Sequence, residues 1–137
     1  MFQVWNIYVT RMVNLCSNAT GSCLQVYYER LVQRPTEEAH RILDFLDVPW
    51  SDDVLKHEQK IGDEIRLNPS EFSTSQVKEK VNMQALTAWY DCYTDDVLAK
   101  IDTLAPMLRR LGYDTRSRRP SYEEFAADDF YKRLQRS

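Results

Sequence analysis

Only three glycines occur in the chain, Gly21, Gly62 and Gly112, and they stand far apart. No glycine-rich loop that cradles a phosphate through successive backbone N–H groups can be built from them. An α/β enzyme acting on phosphate esters normally has one, so the shortage narrows the field. Histidine is scarcer: His40 and His57 are the only two. A metal centre needs two or three convergent ligands at matched spacing, so no metal is expected, and His57 beside Glu58 reads as a solvated or supporting histidine. No apolar run approaches the length needed to span a bilayer, and the N-terminus lacks the pattern of a signal peptide. Targeting information is therefore expected to be either missing or upstream of Met1. The net charge of −3 lacks the basic excess that a nucleic-acid surface wants. At 137 residues, 43% of them hydrophobic, the chain is one domain's worth of polypeptide or a piece of a larger one.

What is present is organised around Val26-Tyr27-Tyr28-Glu29-Arg30-Leu31-Val32-Gln33-Arg34-Pro35, which runs into Ile42-Leu43-Asp44-Phe45-Leu46. A short β-branched and aromatic run ends in Tyr-Glu, crosses a polar elbow and enters a helix at Pro35. Ala39, Ile42, Leu43 and Leu46 fall at i, i+3, i+4 and i+7, the spacing of one buried stripe. Strand, turn and helix in this order predict half of a strand–helix–strand unit, hence an α/β fold. A polar aromatic such as Tyr28, at the carboxyl end of such a strand, sits where open α/β sheets place their binding crevice.

Before this stretch, Trp5, Tyr8, Val9, Met12 and Val13 share one face of a predicted helix over residues 2–15. Cys16 and Cys23 then bracket a run of turn formers. They are either two small core residues or a local disulfide, and the bracketed turn suits the disulfide better. The same turn holds Asn18-Ala19-Thr20, an N-x-[ST] glycosylation acceptor expected on an exposed loop. Asn68-Pro69-Ser70 is no second site, because proline blocks it.

After the helix, Val48-Pro49-Trp50 predicts an extended elbow, and Ser51 caps a short helix reaching about Lys60. Residues 62–82 are the least regular part of the chain. They read either as a surface loop or as a loop with a task, since loops this long are uncommon in compact domains. Ser73, Thr74, Ser75 and Gln76 offer short donors of the kind that phosphate and sulfuryl oxygens accept, flanked by Lys78 and Lys80. From Met83 the chain turns helical again, with Ala85, Leu86 and Trp89 inward. Thr94 caps a further run whose stripe is Val97, Ile101, Leu104, Leu108 and Leu111. Pro106 predicts a kink or two abutting helices there, and Gly112 marks the stop. The tail from Thr115 is highly charged, and Ser121 and Glu124 are placed as a capping box for a last segment carrying Phe125, Phe130 and Leu134.

The order of short motifs resembles one family. Trp5-Asn6, the two cysteines, Val26-x-Tyr28-Glu29-x-Leu31-Val32, Val48-Pro49-Trp50, His57-Glu58, Ile61-Gly62, Ser73-Thr74-x-Gln76-Val77, Val81-Asn82, Ala85-Leu86-x-x-Trp89, Asp96-Val97-Leu98 and Ala105-Pro106-Met107-Leu108-x-x-Leu111-Gly112-Tyr113-Asp114 are similar to the C-terminal half of the protein-tyrosine sulfotransferases. These belong to the sulfotransferase superfamily. The cytosolic small-molecule sulfotransferases share only the Tyr-Glu to Phe-Leu part and carry a C-terminal glycine-rich loop that is missing here.

The resemblance implies a three-layer, P-loop-like fold of which this chain would be a mostly helical C-terminal part, with residues 1–114 in the domain and 115–137 as a charged tail. It implies sulfuryl transfer from 3′-phosphoadenosine 5′-phosphosulfate (PAPS) to tyrosines in acidic segments of secreted proteins. The implied setting is the Golgi lumen, with a type II membrane anchor upstream of this chain and a homodimer. By position, Cys16–Cys23 matches the family's second disulfide, Tyr28 its nucleotide-contacting tyrosine, and Ser73 its transition-state stabiliser. Ser73, Thr74, Ser75, Gln76, Val77, Lys78, Glu79, Lys80, Val81 and Asn82 match the loop that closes on the cofactor. Three positions depart from the family pattern: Glu79 and Ala88 replace lysines, and Phe72 replaces an arginine. Fewer cations near a dianionic phosphate weaken its binding unless Lys78 or Lys80 substitutes. The family's phosphosulfate loop, catalytic glutamate and second stabilising lysine lie N-terminal to the matched region. A partial chain that does not catalyse alone is therefore expected, and the alternative is a degenerate, non-catalytic module that binds an acidic peptide or partner chain.

Overall fold

Helix α1, Phe2–Asn18, opens the chain. The computed structural model describes residues 1–19, 23–61, 68 and 82–134, with residues 57 and 60 described through their backbone only. Those residues fall into two compact units: one from Met1–Gln25 with Leu86–Ser137, the other Val26–Ala85.

In the first unit, α1 runs three residues beyond the predicted 2–15, because nothing up to Asn18 breaks a helix. Phe2, Trp5, Asn6, Val9 and Val13 are half-buried. Tyr8 and Met12, expected on the inner face, are 61% and 67% exposed. The inner stripe thus follows positions 2, 5, 9 and 13, one step round from the predicted one. The run from Thr94 breaks into α4 (Asp95–Leu98), α5 (Ile101–Leu104) and α6 (Pro106–Arg110). Pro106 occupies the first turn of α6, and Ala105 before it is pushed out of helical geometry (φ −146°, ψ 65°). Helix α1 packs on α5 and α6. There, Asn6 Oδ1 accepts the backbone N–H of Met107 at 2.9 Å, satisfying an amide that the first turn of α6 leaves without an intrahelical acceptor. Helix α6 ends in a Schellman motif. Gly112 takes φ +90° while Tyr113 N–H reaches Leu108 C=O at 3.0 Å, a geometry that strains any residue with a Cβ.

The tail joins this unit. Phe125 and Phe130 are 3% and 5% exposed and lie in a row with Tyr113, as tilted ring pairs at separations of 5.0 and 4.9 Å. Trp89 Nε1 donates to the Tyr122 hydroxyl at 2.9 Å, and the Tyr90 hydroxyl donates to Pro120 C=O. Arg118 bonds Asp91 and Asp95, and Arg119 bonds Asp91. A 3-10 turn (Glu123–Ala126) and helix α7 (Phe130–Leu134) complete it.

In the second unit, the strand expected over residues 26–28 does not form. Tyr27 is extended (φ −97°, ψ 124°), but Tyr28 already opens helix α2 (Tyr28–Gln33), and no strand occurs among the described residues. A strand needs a neighbour to take its alternate N–H and C=O groups, and none is supplied among the described residues. Helix α2 breaks at Arg34 before Pro35, which starts α3 (Pro35–Phe45). Ala39 is buried and Ile42 and Leu43 half-buried, but Leu46 is 57% exposed, because the helix closes at Phe45 in a second Schellman motif. Here Asp47 adopts φ +55° and Val48 N–H bonds Leu43 C=O at 2.9 Å. Ser51 caps the segment Asp52–Lys60 as expected, although the turns are 3-10 rather than α.

Candidate functional site

Helix α2 has six residues, too few to hold its shape by propensity alone. Its orientation comes from side chains. Arg30 Nε donates to Glu38 Oε1 on α3 at 2.7 Å, while Arg41 donates to Glu38 Oε2 through Nη2 at 2.8 Å and Nε at 3.1 Å. Glu38 is 1% exposed and Arg30 7%. A carboxylate so deeply buried is tolerable only when charged donors satisfy both oxygens, and they do. This ion triad fixes α2 against α3. Its sequence signal lay in the position of Glu38, one turn before Ile42 and beside Ala39. A charged residue inside an apolar stripe asks for a buried partner, and the pattern reading passed it over.

The triad presents the pair Tyr27-Tyr28 in two different ways. Tyr27 is 5% exposed, and burial, with Glu29 adding to it, pushes its phenol up to about 12. Tyr28 is half exposed, and its hydroxyl donates to the Asn82 carbonyl at 3.3 Å. Asn82 in turn accepts Gln84 N–H on its side-chain oxygen at 3.0 Å, which starts the 3-10 turn Met83–Leu86. Two residues expected to touch the cofactor, 54 positions apart, are therefore neighbours. The others expected there, Ser73, Thr74, Ser75, Gln76, Val77, Lys78, Glu79, Lys80 and Val81, lie outside the described residues, as does Phe72. The Tyr28 ring is thus half exposed, with its hydroxyl anchored to the chain at Asn82, the last residue of the expected loop.

His40 lies flat on Trp50, with ring centroids 3.7 Å apart and planes 16° from parallel, and Trp50 Nε1 donates to Asp52 at 2.9 Å. His40 thus staples α3 to the elbow. Among the described residues no group of His, Cys, Asp and Glu is arranged to hold a metal ion, and no helix is long and apolar enough to cross a membrane. Cys16 and Cys23 form a disulfide with Cα atoms 5.4 Å apart. Asn18, in the last turn of α1 rather than on a loop, is exposed. Ala88 is exposed in the first unit.

Residues 1–52 match the profile of the sulfotransferase family. Over that stretch the chain is similar to the family. Its relatives within it include a putative protein-tyrosine sulfotransferase of Caenorhabditis elegans, 52% identical over 132 residues, which covers 96% of this chain and 51% of the relative. A putative protein-tyrosine sulfotransferase of Caenorhabditis briggsae is also 52% identical over 132 residues, covering 96% of this chain and 47% of that protein. Protein-tyrosine sulfotransferase 2 of Gallus gallus is 44% identical over 121 residues, 86% of this chain and 33% of its own length. The chain therefore spans about half the length of the two Caenorhabditis sulfotransferases.

Proposed function

We propose that this chain is part of a protein-tyrosine sulfotransferase, a catalyst of sulfuryl transfer from PAPS to the phenol of tyrosines in acidic segments of secreted proteins. The observation that carries the reading is identity of 52% across 96% of the chain with a sulfotransferase so named. The Tyr28–Asn82 hydrogen bond supports it, because it joins the two ends of the set of residues that the family resemblance assigns to the nucleotide. In this reading the fold is the α/β, three-layer sulfotransferase type, completed by polypeptide beyond the matched region.

The chemistry is an in-line displacement at sulfur. The tyrosine oxygen bonds to sulfur, the bond from sulfur to the bridging phosphate oxygen breaks, and 3′-phosphoadenosine 5′-phosphate leaves. Positioning and donors aimed at the sulfuryl oxygens carry the rate, as in phosphoryl transfer. Tyr28 orients the nucleotide, and Ser73 donates its hydroxyl to a non-bridging sulfuryl oxygen. Thr74 to Asn82 close over the cofactor, with Lys78 and Lys80 standing in for the cation absent at Glu79. The catalytic base that takes the phenol proton belongs to the portion that the longer relatives carry. No metal enters the step. A Golgi lumenal setting, with an anchor outside this chain and a homodimeric enzyme, accords with the Cys16–Cys23 disulfide and the exposed Asn18 acceptor. Expression through a secretory pathway should give a glycosidase-sensitive mass that Asn18→Gln abolishes.

The test is a chimera in which this chain replaces the matching region of the C. elegans relative. It should transfer labelled sulfate to a tyrosine peptide with acidic flanks, and Ser73→Ala should lower kcat by about a hundredfold or more, the range expected on losing an oxyanion donor. The 137-residue chain alone should show little or no heat when titrated with 3′-phosphoadenosine 5′-phosphate; micromolar affinity would contradict the incomplete site. Glu79 and Ala88 favour a second reading, a non-catalytic module that binds acidic peptides. A chimera that binds the peptide yet transfers nothing would establish that one instead.

A further inference from the structure

A cavity of about 220 Å³ lies within the first unit, between the start of α1, helices α4 to α6 and the tail. Five aromatic side chains line it, Phe2, Trp89, Tyr93, Tyr113 and Tyr122, and one carboxylate, Asp114, stands among them. The rings brace one another. Phe2 lies 4.9 Å from Tyr93 and Tyr93 6.4 Å from Trp89, as tilted pairs, while Trp89 Nε1 donates to the Tyr122 hydroxyl at 2.9 Å. That bond joins the tail to the body of the unit and sets the wall in place. Asp114 is exposed, and its Oδ1 accepts the backbone N–H groups of Arg116 at 2.9 Å and Ser117 at 3.3 Å. Its Oδ2 has no hydrogen-bond or ion-pair partner among the described residues. Sulfuryl transfer makes no use of this cavity: Tyr28 and the residues from Ser73 to Asn82 all belong to the second unit.

We propose that this cavity binds a quaternary ammonium group. The face of an aromatic ring carries partial negative charge, so a wall of rings attracts a cation and disfavours an anion. A neutral apolar ligand would strip water from the Asp114 carboxylate and give it no partner in return. A primary ammonium brings three donors and a tight hydration shell, and an aromatic wall supplies too few acceptors to replace it. A trimethylammonium group has no N–H to satisfy. Its methyl groups pack on the rings, and Asp114 serves as its counter-ion. Size agrees, since the cavity is roughly half again the ~150 Å³ void that accepts benzene. The nearby guanidiniums do not compete for the place. Arg116 and Arg118 line an adjoining cavity, and Arg118 is engaged by Asp91 and Asp95.

The test titrates the isotope-labelled chain with choline chloride, against matched sodium chloride, and follows the indole N–H signals by NMR. Trp89 should shift and saturate, while Trp5 and Trp50, which do not line the cavity, stay still. The uncharged carbon isostere of choline, a tert-butyl alcohol of the same shape, should bind about tenfold more weakly. Asp114→Asn keeps the Oδ1 acceptor and should weaken choline about threefold, the scale of an exposed ion pair. Tyr93→Leu keeps bulk without the ring face and should weaken it about tenfold. If either variant alters the circular dichroism, the comparison of choline with its isostere on the unaltered chain decides alone. A Trp89 signal that choline leaves unmoved would overturn the proposal. So would an isostere that binds as well as choline, or folded variants that bind it undiminished. Flotation with phosphatidylcholine vesicles but not phosphatidylglycerol ones would assign the group to a lipid headgroup, and choline binding without flotation to a free ligand; either supports the site. No sulfate donor enters the experiment, so its failure leaves the sulfuryl-transfer reading where it stands.

Discussion

Glu38→Ala is the most informative single substitution. The carboxylate is 1% exposed and takes bonds from Arg30 at 2.7 Å and from Arg41 at 2.8 Å. Removing it leaves the guanidinium of Arg30, whose side chain is 9% exposed, inside the second unit without its carboxylate partner. Breaking one side of a buried pair costs about 3–5 kcal/mol, mostly through the charge left behind. A unit of this size has a total stability of roughly 3–9 kcal/mol at ~0.05–0.15 kcal/mol per residue. The substitution should therefore remove most of it. Three tryptophans make the assay specific: Trp50 lies in the second unit, stacked on His40, while Trp5 and Trp89 lie in the first. Their indole N–H signals, followed by NMR through a urea titration, separate the two transitions. Glu38→Ala should move the Trp50 midpoint by the equivalent of at least ~3 kcal/mol, Glu38→Gln by less, and Trp5 and Trp89 should serve as the internal reference. Replacing both partners, Arg30→Leu with Glu38→Leu, should recover much of the loss, because two apolar side chains need no compensation. A Trp50 shift below about 1 kcal/mol in Glu38→Ala would refute the claim that the ion triad holds α2 in place.

Three further outcomes follow from the same geometry. Cys16 and Cys23 are seven positions apart, and closing so short a loop is worth about 2.5 kcal/mol; Cys16→Ser with Cys23→Ser should lower stability by about that much, and free thiols in oxidised material would contradict the pairing. Burial holds the Tyr27 phenol near 12 against an ordinary 10.0, so the folded state keeps its proton longer than the unfolded one. That contribution is intact below pH 10 and lost as pH rises towards 12, so a tyrosinate absorbance titration should show one late-ionising phenol that Tyr27→Phe removes. Hydrogen bonds from Arg119 and Arg118 hold the exposed Asp91 carboxyl below its ordinary 3.8. Docking of residues 118–119 is thus favoured above that pH and weakens as pH falls through the lowered value. Asp91→Asn should loosen the tail at neutral pH, read as collapse of the Arg118 side-chain N–H shift towards its solvent value.

Boundaries set by backbone chemistry were legible in the sequence. Pro35 starts α3, Ser51 caps the next segment, Pro106 splits the later run and Gly112 closes it, because each acts within a turn of its own position. What failed depended on partners. Val26 to Tyr28 has strand-forming residues, yet strand geometry is realised only against another strand. Tyr8 and Met12 were placed inward because α1 has two apolar faces, and periodicity alone does not say which one the described residues cover. Glu38 went unremarked, since its two arginines come from eight positions before and three after. Of the candidate site, the nearness of Tyr28 to Asn82 rested on family resemblance alone, because a contact across 54 positions leaves no periodic trace.

The hydrogen bond from Met107 to Asn6 clasps two stretches of chain 101 positions apart, and everything from Val26 to Ala85 hangs between them. In topological terms the first unit is a host and the second a guest threaded into it. A host closed this way is indifferent to the length of its guest, since doubling the intervening chain adds only ~0.6 kcal/mol of closure entropy. A single nick in the guest would turn the molecule into two polypeptides that stay joined through the host. Transplanting a guest segment from one of the Caenorhabditis relatives would then leave the clasp itself untouched.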